Sequence, residues 1–238
     1  MWAIFKREVK SFFLTPIGYV YMGIFLFLSG LFFAFLLLNP SQTANYTEVL
    51  GTMSFTLLFV TPILTMRLMS EEKKSGTDQL LLTSPVSLSG IVVGKYLAAL
   101  FVFVCTLIIT LAYPLILSRF ATIDLSVIVL GYTGYFLLGA AFIAIGLFIS
   151  SITENQTVAA IISFCALLFL WVLEFFKMVI NLPEKGQRIF DWFLILNRYE
   201  DFESGLLNVG SVIFFMSIAL VFLFLTLRSV EKRRWSRG

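Results

Sequence analysis

Apolar residues fall in six long blocks, at 16–38, 51–69, 89–117, 125–149, 157–180 and 209–227, divided by shorter polar intervals. A bilayer core about 30 Å thick is crossed by roughly 20 apolar residues of helix, so each block is long enough to span it. The pattern predicts an all-α integral membrane protein with six transmembrane helices. Residues 1–13 read differently. Wound as a helix, they gather Trp2, Phe5, Val9, Phe12 and Phe13 on one arc and Lys6, Arg7 and Lys10 on the neighbouring one, the mark of a helix lying in the membrane interface.

Detail within the blocks refines the picture. Pro16 opens the first span at the helix position proline favours, and Asn39-Pro40-Ser41 closes it. Pro62 lies inside the second, where a missing N–H bends a helix; the bend serves either as a hinge or as a static packing kink. The third begins Ser89-Gly90 and continues to Gly94 and Ala98, small residues four apart that predict close packing against another span. Gly90 to Lys95 imitates a phosphate loop, but the glycine spacing is one residue short and no Ser or Thr follows the lysine. Lys95 is expected to snorkel to the head groups. The fourth span carries Gly131, Gly134, Gly139 and Gly146 with Ala140, Ala141 and Ala144, suited to close packing at a dimer seam or beside a moving neighbour. In the turn after it, Thr153 and Gln156 have the spacing of a capping box. Glu174 and Lys177 are placed to pair on one helix face, and residues 181–207, with Trp192 in an aromatic belt, suit short helices at the outer surface.

Composition agrees. The 238 residues are 59% hydrophobic and have a mean hydropathy of +0.96, well above the roughly 45–50% apolar content of soluble domains. The net charge of +3 matters through its placement: Lys6, Arg7, Lys10, Arg67, Lys73, Lys74, Lys95, Arg228, Lys232, Arg233, Arg234 and Arg237 share one side if both termini are cytoplasmic. The basic tail would hold the C-terminus there against anionic lipid. Cys105 and Cys165 both lie within spans and the chain has no histidine, so neither a structural disulfide nor a metal site is expected. The N-terminal segment lacks a signal-peptide pattern, and the first span is expected to stay attached.

Met66 to Ser87, MRLMSEEKKSGTDQLLLTSPVS, is the conspicuous polar interval. Arg67, Lys73 and Lys74 bias it to the cytosol. Gly76 permits a break, Thr77 is a good N-cap with Asp78 in the first turn, and Pro85 stops whatever helix begins there. A short helix presenting Leu80, Leu81 and Leu82 beside Glu71, Glu72 and Asp78 is the expectation. Three leucines in a cytosolic loop pack either on the protein's own spans or in a partner's cleft.

These residues, with Ser11 to Tyr19 (SFFLTPIGY), Gly94-Lys95 and Ser151 to Val158 (SITENQTV), resemble the type-2 permeases of ATP-binding-cassette transporters, most of all the gliding-motility-associated permease branch. The resemblance covers most of the first 160 residues. It implies a dimer of permease chains, homomeric or heteromeric, in the cytoplasmic (inner) membrane. It also implies that 1–13 is an elbow helix, that 70–88 is a coupling loop, and that 181–207 forms short extracytoplasmic helices. Glu71, Glu72, Gly76, Thr77, Asp78, Leu80, Leu81 and Leu82, with Thr153, Glu154 and Asn155, would then dock on a separate ATPase subunit. ATP and Mg would be bound by that subunit and no cofactor by this chain. An extracytoplasmic accessory subunit is a further possible partner, lipid a surrounding one, and nucleic acid none. Three functions are weighed: the permease half of an exporter, an ATP-driven mechanotransmission or anchoring module acting on envelope partners, and a membrane enzyme. The last has no cluster of acids, histidines or an activated nucleophile to support it. The near absence of charge in the spans favours an apolar or amphipathic cargo such as a lipid, drug or peptide.

Overall fold

The computed structural model describes residues 1–38, 46–77, 87–119, 124–179 and 194–236, and among them every regular element is a helix. These are α1 (Trp2–Leu14), α2 (Pro16–Leu38), α3 (Tyr46–Ser54), α4 (Thr56–Thr65), α5 (Arg67–Lys74), α6 (Leu88–Thr110), α7 (Ala112–Leu117), α8 (Leu125–Ile152), α9 (Gln156–Val179), α10 (Ile195–Glu203) and α11 (Val209–Ser236). Six segments are long and apolar enough to cross a membrane: Pro16–Phe35, Val49–Lys74, Leu88–Leu117, Leu125–Ile152, Gln156–Leu173 and Val209–Arg233.

The bundle is organised around α8, 83% of whose apolar window is buried, against 17–39% for the first, third, fifth and sixth spans. Its glycines explain why. A Cβ on Gly134 would lie 2.5 Å from the Phe202 side chain of α10, one on Gly139 would lie 2.3 Å from the Phe103 ring of α6, and one on Gly146 would lie 2.3 Å from Thr65 Oγ1 of α4. The small face of α8 is therefore spent on neighbours within the same chain, since lipid gives helices no hydrophobic drive to associate and close contact must supply it. Polar ties between spans reinforce the packing: Tyr96 Oη donates to Ala140 O (3.1 Å), Tyr132 Oη to Thr110 O (2.9 Å) and Tyr135 Oη to Met53 O (3.2 Å). Apolar side chains such as Phe27, Phe101, Leu220 and Phe224 point outward, as a lipid solvent allows. Between α8, α9 and α11 lies an apolar groove of about 630 Å³ walled by residues such as Phe148, Phe169 and Phe222.

The second span is three helical pieces, α3, α4 and α5, interrupted at Phe55 and Met66 around the internal Pro62. Both interrupting residues keep right-handed helical angles, and Met66 N still donates to Pro62 O (2.9 Å). The helical backbone thus carries through both interruptions, and helix continues past position 69 through Glu71 and Glu72 to Lys74. The expected second helix at Asp78 and Leu80 to Leu82 lies outside the described residues, as do Trp192 and the side chains of Glu174 and Lys177.

α1 buries Ile4, Glu8 and Phe12, one residue in four along a single stripe, while Trp2 is 70% exposed. That stripe meets α6. A Cβ on Gly94 would come within 3.2 Å of both Ile4 Cγ2 and Met1 O. The small-residue face expected to pack on another span meets α1 at Gly94 instead.

Candidate functional site

The candidate site lies at the end of the bundle where α1, α5, the turn between α8 and α9, and the last turns of α11 converge. Six spans put both ends of the described chain there. Its centre is a cluster of charges that the approach of α1 to Gly94 makes possible. Lys95, one residue on, is 1% exposed and does not snorkel. Its ammonium donates to Leu68 O at 2.6 Å and pairs with Glu8 (3.1 Å) and Glu72 (3.0 Å). Arg7 closes the ring, 2.6 Å from the carboxylates of both Glu8 and Glu72. A buried ammonium needs partners because the desolvation of an isolated ion is prohibitive, and here two carboxylates and a carbonyl supply them. Burial pushes the Glu8 carboxyl up, but Lys95 and Arg7 outweigh it and hold the group below the ordinary glutamate range. Arg7 loses by burial and gains more from Glu8 and Glu72, so its guanidinium is held even more firmly charged.

A second tie runs from α5 to the end of α1. Arg67, 7% exposed, donates to Thr15 Oγ1 (2.6 Å) and to Ser11 Oγ, stacks over the Phe12 ring (5.3 Å) and pairs with Glu71 (3.2 Å). The sequence marked Arg67 only as a topology signal; its burial in the joint between α1 and α2 was missed. Ser11 and Thr15, on the SFFLTPIGY string, are what it grips.

A third tie joins α5 to the end of α8. Met66 has no side-chain cap to offer α5, which leaves the helix's first amides seeking acceptors. Ser150 Oγ, from α8, accepts from Met69 N (3.1 Å) and Ser70 N (3.2 Å) and donates to Met66 O (3.1 Å). Lys73 donates to Ser151 O. The described part of the polar interval Met66 to Ser87 and the turn Ser150 to Gln156 after the fourth span are therefore bonded to each other.

Of the expected contact residues, Glu72 sits in the charge cluster and Glu71 on Arg67. Gly76 has φ +69, following a last turn in which Ser75 N donates to Glu71 O and Gly76 N to Lys73 O; this left-handed angle is the usual glycine ending of a helix. Thr77 Oγ1 lies 2.8 Å from Ser75 Oγ. The capping box does not form. Thr153 donates to Ile149 O and finishes α8, while Asn155 Oδ1 accepts from Thr157 N (2.9 Å) and caps α9. Two capping residues two positions apart were available, and the chain uses the second. Glu154 pairs with Arg233 of α11 at 3.0 Å. Asp78, Leu80, Leu81 and Leu82 remain outside the described residues. Among the described residues no group of three or more His, Cys, Asp or Glu side chains could hold a metal.

A multi-pass helical membrane protein with a charged, cross-tied face at the end bearing both termini is thereby defined. Residues 37–228 match the family described as ABC-2 family transporter protein. The chain belongs to that family, which provides the membrane permease component of ATP-binding-cassette transporters, with the ATPase as a separate subunit. Comparison with the curated proteins returns no significant match.

Proposed function

We propose that this chain couples ATP hydrolysis by its partner ATPase to export of a substrate across the cytoplasmic membrane, acting as one of a pair of permease chains. In this reading both termini are cytosolic, α1 is an interfacial elbow helix, and α5 with Gly76, Thr77 and the turn Thr153 to Asn155 belongs to the face that the ATPase pushes. Asp78 and Leu80 to Leu82 complete that face on sequence grounds. The resemblance of the loop and of SFFLTPIGY to the gliding-motility-associated branch supports a reading in which the chain is related to that branch.

One observation carries the reading: the polar intervals 66–77 and 150–155 are bonded to each other through Ser150 and Lys73, and bonded to α1 and α6 through Glu72, Lys95 and Glu8. A push delivered to this end is transmitted to the second, third and fourth spans and the N-terminal helix at once. Differential affinity of the ATPase for two arrangements of the face then shifts the membrane helices between them. The test is co-purification in mild detergent. Leu81→Asp and Gly76→Pro are expected to insert normally and to lose the ATPase subunit. Retention of that subunit by both variants would overturn the assignment of this face.

A further inference from the structure

The length of the apolar groove between α8, α9 and α11 can be read from its walls. They run from Ile162 to Leu170 on α9 and from Phe214 to Phe222 on α11, a stretch of about 12 Å on each helix. That is a little under half of a hydrocarbon core about 30 Å thick, the depth of a single acyl chain within one leaflet. Among the described wall residues only Ser217 is polar. An apolar groove facing lipid is ordinary in itself, because lipid tails are as apolar as its walls.

What sets this groove apart is a cation at one end. Ile195 of α10 and Phe214 of α11 form the end farther from the charge cluster. Arg198 stands one turn beyond Ile195 on the same face of α10, with its guanidinium over the Phe214 ring (5.9 Å). It is half-buried, and no hydrogen bond or ion pair holds it among the described residues; its Nε is covered and finds no acceptor. Asp201, one turn further on, is taken up by Asn208 and Ser211 instead. Phe214 lies within the sixth span, and a guanidinium at that level without a counter-charge is rare because desolvating an unpaired ion is costly. Its fork of donors matches the oxygens of a phosphate. A phospholipid is the anion-bearing amphiphile that a bilayer itself supplies. We infer that one occupies this site, with an acyl chain between α8, α9 and α11 and its phosphate on the Nη edge of Arg198. This rests on the chain's place in the membrane and not on the coupling of ATP hydrolysis to export.

The experiment places the full chain in nanodiscs that hold, as a minor component, phosphatidylglycerol with a photoreactive acyl chain or the matching diacylglycerol, which lacks the phosphate. Labelled positions are read by mass spectrometry. Phosphatidylglycerol labels groove residues such as Ile162, Phe169 and Val221 well above Phe27, an exposed position on α2. Arg198→Gln brings that labelling down about tenfold, to the level of diacylglycerol, since a charge-assisted contact carries at least that much. Arg198→Lys restores part of it. Ala166→Phe, which fills the groove, removes labelling there by both lipids while Phe27 is still labelled. Groove labelling no stronger than at Phe27, the mark of annular lipid only, would overturn the inference, as would wild-type labelling in Arg198→Gln. So would a groove that neither lipid labels, the result expected if a second copy of the chain covers these walls.

Discussion

Replacing Lys95 by methionine keeps the length of the stem and removes the ammonium at the centre of the charge cluster. Three bonds go: to Glu8 at 3.1 Å, to Glu72 at 3.0 Å and to Leu68 O at 2.6 Å. Removing one partner from a buried ion pair costs about 3–5 kcal/mol, mostly because the surviving charge is stranded. Arg7 remains 2.6 Å from both carboxylates, but its side chain is 50% exposed and screened by solvent. The lower end of the range, about 3 kcal/mol, is therefore expected. For a chain of this size each kcal/mol moves Tm by about 2–4 °C, so Lys95→Met should melt about 6–12 °C below wild type in detergent. Neutralising Glu8 as well relieves part of the stranded charge. The double variant Glu8→Gln/Lys95→Met should be more stable than the sum of the two single losses by about 1 kcal/mol or more. Differential scanning fluorimetry on the four proteins reads this directly. A Lys95→Met protein melting within about 1 °C of wild type, or strictly additive losses, would mean that the Lys95 ion pairs do not hold α1 to the bundle.

Ser150→Ala leaves the buried Met69 amide without its acceptor and should cost about 1–3 kcal/mol, read as the same kind of melting shift; unchanged stability would mean the cap is dispensable. Gly139→Val drives a side chain into the Phe103 ring and should lower stability by about 1–3 kcal/mol through overpacking, whereas Gly23→Val, at a position with open space around it, should cost far less. Glu8 has a native pKa below its unfolded value, so its contribution is complete above about pH 4.3 and is lost as pH falls through the lower native value. The Tm gap between wild type and Glu8→Gln should shrink as pH falls below about 4.3; a gap that stays constant would contradict the pairing.

Much of the architecture was legible in one dimension because lipid imposes it. Six apolar blocks of spanning length, the glycine-rich fourth block and the helix-ending Gly76 each state a requirement that the local residues meet alone. What was hidden depends on which helix lies beside which. Lys95 reads as a snorkelling residue until α1 is seen to cross it at Gly94, bringing in Glu8 from 87 positions away. The available signal was Glu8 itself, the lone acid among Lys6, Arg7 and Lys10, on a face with Ile4 and Phe12. Arg67 was hidden in the same way, since its partners Ser11 and Thr15 lie before the first span. Thr153 was the expected cap, and only the end point of α8 shows that Asn155 takes that place. The glycines of α8 did signal close packing, but composition could not say whether the neighbour was a second chain or the same one.

The central claim is that the face formed by α5 and the turn after α8 receives the ATPase. Photo-crosslinking tests it most directly, with a photoreactive residue placed in turn at Thr77, at Glu154 and, as a control at the other end of the bundle, at Val129. Thr77 and Glu154 are each expected to form an adduct with an ATP-binding subunit in native membranes, and Val129 is expected to form none. Adducts at Val129, or none at Thr77 and Glu154 while the subunit still co-purifies, would contradict it.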